Sequence, residues 1–361
     1  MIGLGLWSFL FWAIFQIVPL TEAGSSDPEA VRASTLMARA IAALREHRDA
    51  FGPPIDARFD LNRTGLIGLE ESSITTSLGR LEAKRTTTNP LFAGAVVRMF
   101  REAGVKRGDV AAIGASSSFP GLILATLSAA EAMGLKPLLL SSLGASNWGG
   151  NNPDWTWLEI SDCLRRAGVL DVHPIALSIG GEGDVGQDMS EDGRELLWLK
   201  ILKTGRPFLQ ESDLIKNVQA RVAALDKNAG RAAIKVFVNV GGSWADMGTD
   251  GEVLKLRPGF NPASAVFIPP PARRGLIQEM ARRGVPVIHL LFVKGLGDRY
   301  GLPWDPVPLP DPEKATFSAQ ARPLTGSGTP KLLGIIVLGI YLAGMILGLG
   351  WIIRKNRQFG I

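Results

Sequence analysis

The chain is poor in the residues that build redox and metal centres. Cys163 is its only cysteine in 361 residues, which excludes an internal disulfide and a multi-cysteine metal site while leaving the redox compartment undecided. Three histidines, His47, His173 and His289, argue against a His-rich zinc centre, and no metal or cofactor is expected. A block of like charge is missing too. The net charge of +5 comes from 39 Lys and Arg against 34 Asp and Glu, interspersed along the chain. Without a basic block to follow a phosphate backbone, no nucleic-acid partner is expected. There is no internal repeat and no Walker A element. Gly114-Ala115-Ser116-Ser117-Ser118 lacks the second glycine of a nucleophile elbow.

Apolar residues, by contrast, make up 46 % of the chain, and the two ends hold a disproportionate share. Residues 332–353 carry no charge, enough to cross a hydrocarbon core of ~30 Å at ~1.5 Å per residue. Trp351 stands near the far interface, and Arg354, Lys355 and Arg357 follow, a cluster that favours a cytoplasmic C-terminus. Residues 2–20 are also uncharged, but no Lys or Arg precedes them as a cleaved signal peptide would want. A retained anchor is therefore expected, with cleavage at Thr21-Glu22-Ala23 as the alternative. Glu22, Asp27 and Glu29 suit an outward-facing flank. Two spans put both termini in the cytoplasm and residues 24–330 outside the cell membrane. Gly344 and Gly348, with Gly334 and Gly339 before them, offer a small-residue face to another helix. That helix is either the chain's own first span or a second membrane protein.

Between the ends, two periodicities alternate. Asp27-Pro28 opens a capped amphipathic helix ending near Gly52-Pro53. A polar stretch covers 60–89, and Asn89-Pro90 opens a second helix through residue 100. Apolar, often β-branched runs at 110–115, 135–142, 173–179, 234–240 and 285–292 read as strands. Helices at 120–133, 154–167, 191–203, 212–226 and 273–283 separate them. The pattern predicts an α/β fold with a mostly parallel, Rossmann-like sheet covered by helices on both faces. The expected division is an anchor at 1–23, a helical and polar lead-in at 24–104, an α/β body at 105–302, a Pro-rich spacer at 303–330 and a transmembrane helix at 331–354.

In open parallel sheets, ligands bind beyond the carboxyl ends of the strands. The expected strand ends carry Ser116, Ser117 and Ser118; then Ser142, Ser146 and Asn147; then Glu182 and Asp184; then Asn239 and Ser243; and finally Lys294. Small polar residues stand where packing would ask for bulk. The serine triplet before a helix suits a carboxylate or phosphate, although each serine alone also reads as a helix cap. A nucleophile among the three would need a base. His173 at the start of a strand and His289 inside one read as structural, which leaves Lys294 or Lys84 as a Ser-Lys base. Glu182 and Asp184, with Asp188, read as a cation site, an amine-orienting or acid/base pair, or a solvated turn. Asn147, with Trp148, Trp155 and Trp157 nearby, offers amide donors beside an aromatic wall. Lys84 and Arg85 in the polar stretch either complement an anionic ligand or belong to a loop that caps the sheet edge.

Three segments look familiar together: Ser72-Ser73-Ile74-Thr75-Thr76 with Lys84-Arg85-Thr86 and Asn89-Pro90; SSSFPG at 116–121; and SSLGASNWGGNNPDWTWL at 141–158. Over most of its length, terminal runs included, the chain resembles the poly-γ-glutamate system protein family. The resemblance implies a place beside membrane-bound poly-γ-glutamate synthase components and a role in making, exporting or handling that anionic polymer. It supplies no catalytic residues. Three functions are expected to compete: an accessory protein binding the polymer or glutamate, a γ-glutamyl hydrolase or transpeptidase with a serine nucleophile, and a structural scaffold of the synthase.

Overall fold

The computed structural model describes residues 27–315 except Val172, together with Gly339, residues 341–348, Gly350 and Arg354. Two compact units divide the chain, the body Ser26–Ala319 and a terminal unit. The body opens with α1 (Pro28–Ala50). Asp27 caps it by accepting from the N–H groups of Glu29 and Ala30, and Pro28 sits in its first turn. A stripe of Ala33, Met37, Ala40, Ile41 and Leu44 is buried. Then follow α2 (Leu81–Thr87), α3 (Leu91–Glu102) and β1 (Val110–Ser116). Next come α4 (Pro120–Met133), ended by left-handed Gly134, and β2 (Lys136–Ser142). The helix α5 (Trp157–Arg166) starts with a Thr156–Glu159 capping box. It leads to β3 (Pro174–Ser178), α6 (Glu191–Lys203), β4 (Phe208–Leu209) and α7 (Leu214–Ala229). The chain continues through β5 (Ile234–Val240), α8 (Trp244–Met247), β6 (Gly259–Asn261), α9 (Leu276–Arg282), β7 (Val287–Leu290) and α10 (Val293–Tyr300).

The seven strands lie in the order β4-β3-β2-β1-β5-β7-β6. Every pairing is parallel except that of β6 with β7. Successive residues of β1 are all buried, so both faces of the sheet are covered, as a parallel sheet requires. On one face Ala112, Leu140, Ala176, Phe237 and Val287 pack with α7 and α9. Strands are added outward from β1 on one side as far as β4. They resume at β5 on the other side, which leaves the crevice of such sheets at the carboxyl ends of β1 and β5.

The five expected strands are present. The pattern missed β4 and β6, of two and three residues, too short to show an alternation. The last expected strand was too long: β7 stops at Leu290, and Phe292 already caps α10. Lys294 therefore lies in the first turn of a helix and not in a loop. His173 lies just outside β3, 3.3 Å from Asp171. Residues 303–315 of the expected spacer lie along the body. The N–H of Asp305 donates to Thr86 Oγ1 at 2.9 Å, and Asn62 Nδ2 donates to Pro306 O at 2.9 Å. Among the described residues no helix is long and apolar enough to cross a membrane. The first apolar run lies outside them, as does most of the second, although residues 341–348, with Gly344 and Gly348, are helical.

Candidate functional site

Register builds the rim. Ser116 of β1 pairs with Ser142 of β2, which pairs with Ser178 of β3. Paired residues share a face, so three hydroxyls form one row at the carboxyl edge. Glycines close over the row. At Gly241 (φ 84°) a Cβ would stand 3.1 Å from Ser116 Cβ, and at Gly180 (φ 83°) one would stand 2.9 Å from Ser142 Cβ. Left-handed backbone and close approach both demand glycine there. The triplet of serines divides by role. Ser117 gives its N–H and its hydroxyl to Ser142 O, at 3.0 and 2.7 Å, and is thereby committed to the β1–β2 junction. Ser116 donates its hydroxyl to Ser118 Oγ at 3.0 Å, and Ser118 Oγ also accepts from the Ser146 N–H at 3.0 Å.

Lys84 joins this chain of hydroxyls from α2. Its Nζ donates to Ser118 O and, at 2.7 Å, to Ser146 Oγ, and it lies 3.8 Å from the centre of the Phe119 ring. The side chain is buried, and desolvation lowers its pKa to about 7. No carboxylate offsets that loss among the described residues. The neighbouring Arg85 points elsewhere, with its Nε 2.8 Å from Asp305 Oδ1. It contributes no free cation to the rim.

The polar stretch caps this edge. Thr76 N–H donates to Ala145 O, Asn147 N–H to Ser77 O and Gly79 N–H to Asn147 Oδ1, at 2.9, 3.0 and 3.0 Å. Asn147 also donates through Nδ2 to Glu70 O, so its amide holds the cap and is not open to a ligand. A Cβ on Gly79 would stand 3.1 Å from Lys84 Cε and 3.2 Å from Ser146 Oγ, so the turn lies directly on the Lys–Ser contact. Beside it Leu78 is 94 % exposed. The expected aromatic wall is closed: Trp157 is fully buried, Trp155 is spent on Gly65 O and Trp148 packs on Phe59.

The third strand end carries no open carboxylate pair. Glu182 is exposed, while Asp184 is buried in left-handed backbone (φ 62°). Asp184 accepts from Ser178 Oγ at 2.8 Å, Asn217 Nδ2 at 2.9 Å and Arg221 Nη2 at 2.6 Å. Arg221 Nη1 also stands 3.7 Å from Asp246 Oδ1 of α8. Asp184 thus joins a buried carboxylate–guanidinium–carboxylate triad and cannot meet a dissolved cation. Among the described residues neither oxygen of Asp246 has a hydrogen-bond partner. Burial first, with the charge of Asp184, raises its pKa to about 6 against the pull of Arg221. A carboxyl whose native pKa exceeds its unfolded value adds stability below the unfolded value, about 4, and loses it as pH rises through about 6. Asp246→Asn is expected to stabilise the body at pH 8 by on the order of 3 kcal/mol, read as a higher midpoint of thermal unfolding, and to do little at pH 4. Melting curves at both values check this.

The remaining candidates lie apart. Ser243 caps α8. Asn239 donates to Gly241 O at 2.7 Å and meets His289 Nδ1 at 3.1 Å. His289 is structural, buried in β7, and desolvation holds its pKa down at about 4. Lys294 is exposed, 3.6 Å from Asp298 and 5.8 Å from the Trp304 ring, and touches none of the serines. Surface grooves of about 510 Å³ beside Arg45 and Asp49 of α1, and about 430 Å³ between α7 and α9, lie away from the rim. No metal-binding cluster occurs among the described residues.

Sequence reasoning overlooked Ser178, Asn217, Arg221 and Asp246. One signal was available. Asn217 and Arg221 are four apart on the stripe Leu214, Val218, Val222 and Leu225 that α7 buries, and a polar pair on a buried stripe needs partners. Comparison of the chain with protein-family models, curated proteins and solved structures finds no match.

Proposed function

We propose that the chain is a membrane-anchored accessory protein of poly-γ-glutamate synthesis or export whose strand-end rim binds the anionic polymer or glutamate itself. In this reading the apolar ends are retained spans with both termini in the cytoplasm. The body faces the exterior, and the spans dock on membrane components of the synthase. The sequence resemblance and the charge-free terminal runs support it. One observation carries the binding: the buried ammonium of Lys84 stands among hydroxyls with no counter-ion among the described residues. A cation so placed gains a large desolvated attraction when a carboxylate enters and replaces Ser118 O and Ser146 Oγ as its acceptor. Ser118, whose Oγ accepts from the Ser116 hydroxyl, then offers its own hydroxyl to the same anion.

Charge sets the pH dependence. With Lys84 near pKa 7 in the free protein, an anion binds the protonated form, so affinity falls as pH rises through that value. Calorimetric titration of the full chain in detergent with γ-glutamyl oligomers and with glutamate is expected to show binding at pH 6. Affinity should weaken at least tenfold by pH 8.5 and at least tenfold in Lys84→Met. Absence of heat at millimolar ligand and pH 6 would overturn the reading.

A serine hydrolase or transpeptidase remains a second reading, favoured by the 2.7 Å contact of Lys84 with Ser146.

A further inference from the structure

We propose that Ser146 and Lys84 form a nucleophile–base pair that opens carboxylic amide or ester bonds at the rim. This deepens the binding reading and rests on it in one respect only, that ligand enters at this edge. Three serines in a row at 116–118 attract attention in the sequence, yet the geometry selects a fourth. The Ser117 hydroxyl is spent on Ser142 O and the Ser116 hydroxyl on Ser118 Oγ. Ser146 Oγ meets Lys84 Nζ, and its own proton has no other acceptor among the described residues. With Lys84 neutral, the same 2.7 Å contact is Ser146 donating its proton to the amine lone pair. Nζ keeps Ser118 O as acceptor, which fixes the direction in which the lone pair points. Burial without a carboxylate nearby makes the neutral amine accessible at ordinary pH. A carboxylate beside Lys84 would have kept it protonated and useless as a base.

The chemistry closes without a further reagent. Ser146 Oγ attacks the carbonyl carbon while Lys84 Nζ takes the hydroxyl proton. The carbon–nitrogen or carbon–oxygen bond then breaks, and the leaving amine or alcohol takes that proton from Lys84. Water, deprotonated by Lys84, attacks the acyl-Ser146 ester and releases a carboxylic acid, while Ser146 recovers its proton. An amine in place of water gives transfer instead. The Ser118 hydroxyl accepts from Ser116 and from the Ser146 N–H, and its own proton, with no acceptor among the described residues, turns to the developing oxyanion. Substrate reaches the pair when the turn carrying Leu78 and Gly79 lifts, which breaks its hydrogen bonds to Ala145 and Asn147.

The test is covalent labelling of the full chain in detergent with a small fluorophosphonate, the modified residue being located by peptide mass spectrometry. A phosphonyl adduct on Ser146 is expected, forming about tenfold faster at pH 8 than at pH 6. Labelling should slow at least a hundredfold in Lys84→Met and be unchanged in Lys294→Ala, a lysine outside the rim. No adduct, an adduct on a different serine, or a rate independent of pH overturns the proposal. The last three readouts need only the wild-type chain, so they decide even where Lys84→Met fails to fold. The two readings fail separately, because anion binding strengthens toward low pH and labelling toward high pH. Heat without label retains the binder alone, and label without heat retains the nucleophile.

Discussion

Arg221→Met is expected to cost the body about 3–5 kcal/mol, which for a domain of this size lowers the midpoint of thermal unfolding by on the order of 10 °C. The guanidinium is fully buried between two carboxylates, 2.6 Å from Asp184 and 3.7 Å from Asp246, and it also holds Ser178 Oγ and Asn217 Oδ1. Burial alone would push its pKa down, and the two carboxylates more than offset this, so the net shift is upward. Removing the cation strands both carboxylates in a low-dielectric interior, where each must take up a proton or leave. Methionine fills most of the space, so the loss is electrostatic and not a cavity effect. The double variant Arg221→Met with Asp246→Asn separates these causes. It should recover a substantial part of the loss, because it removes the carboxyl that has no hydrogen-bond partner among the described residues. If the single variant melts within 2 °C of wild type, the triad is not a stabilising pin.

That triad shows where reading from sequence runs out. The parallel sheet was legible because β-branched runs such as Ile234–Val240 alternate with helices closed by glycine, and a fully buried strand has no other way to read. The rim was legible for the same reason, since parallel strands bring their carboxyl ends to one edge. What sequence cannot supply is side-chain direction at that edge. Asp184 looked like half of a carboxylate pair with Glu182, two residues away, but its positive φ turns it inward to a guanidinium 37 residues later. Lys84 and Arg85 looked like one basic patch. The helix separates neighbours by about 100°, which sends one to the serines and the other to Asp305. Lys294 looked equal to Lys84 as a base until Phe292 proved to be a helix cap. Long-range partnership, not local propensity, decided each case.

Lys84→Met is expected to stabilise the body while abolishing the anion binding and serine labelling proposed for the rim. The native pKa of about 7 lies well below the unfolded value of 10.5. Between those two values the unfolded chain binds a proton that the native chain refuses, so stability rises with pH across that window and is lowest at and below about 7. A shift of this size is worth on the order of 4–5 kcal/mol at pH 7. Methionine, of similar length and apolar, abolishes that penalty but forfeits the hydrogen bonds to Ser118 O and Ser146 Oγ, ~1 kcal/mol each. The net gain at pH 7 is on the order of 2–3 kcal/mol, and it should shrink as pH approaches 10. Melting curves of both chains from pH 6 to 10 measure this directly. A lysine kept only to tie α2 to the rim would give the opposite sign, with the variant less stable at every pH. A rise in stability on its removal is the sign expected of a buried amine kept at a cost in stability, which is what the proposed role of Lys84 beside Ser146 requires.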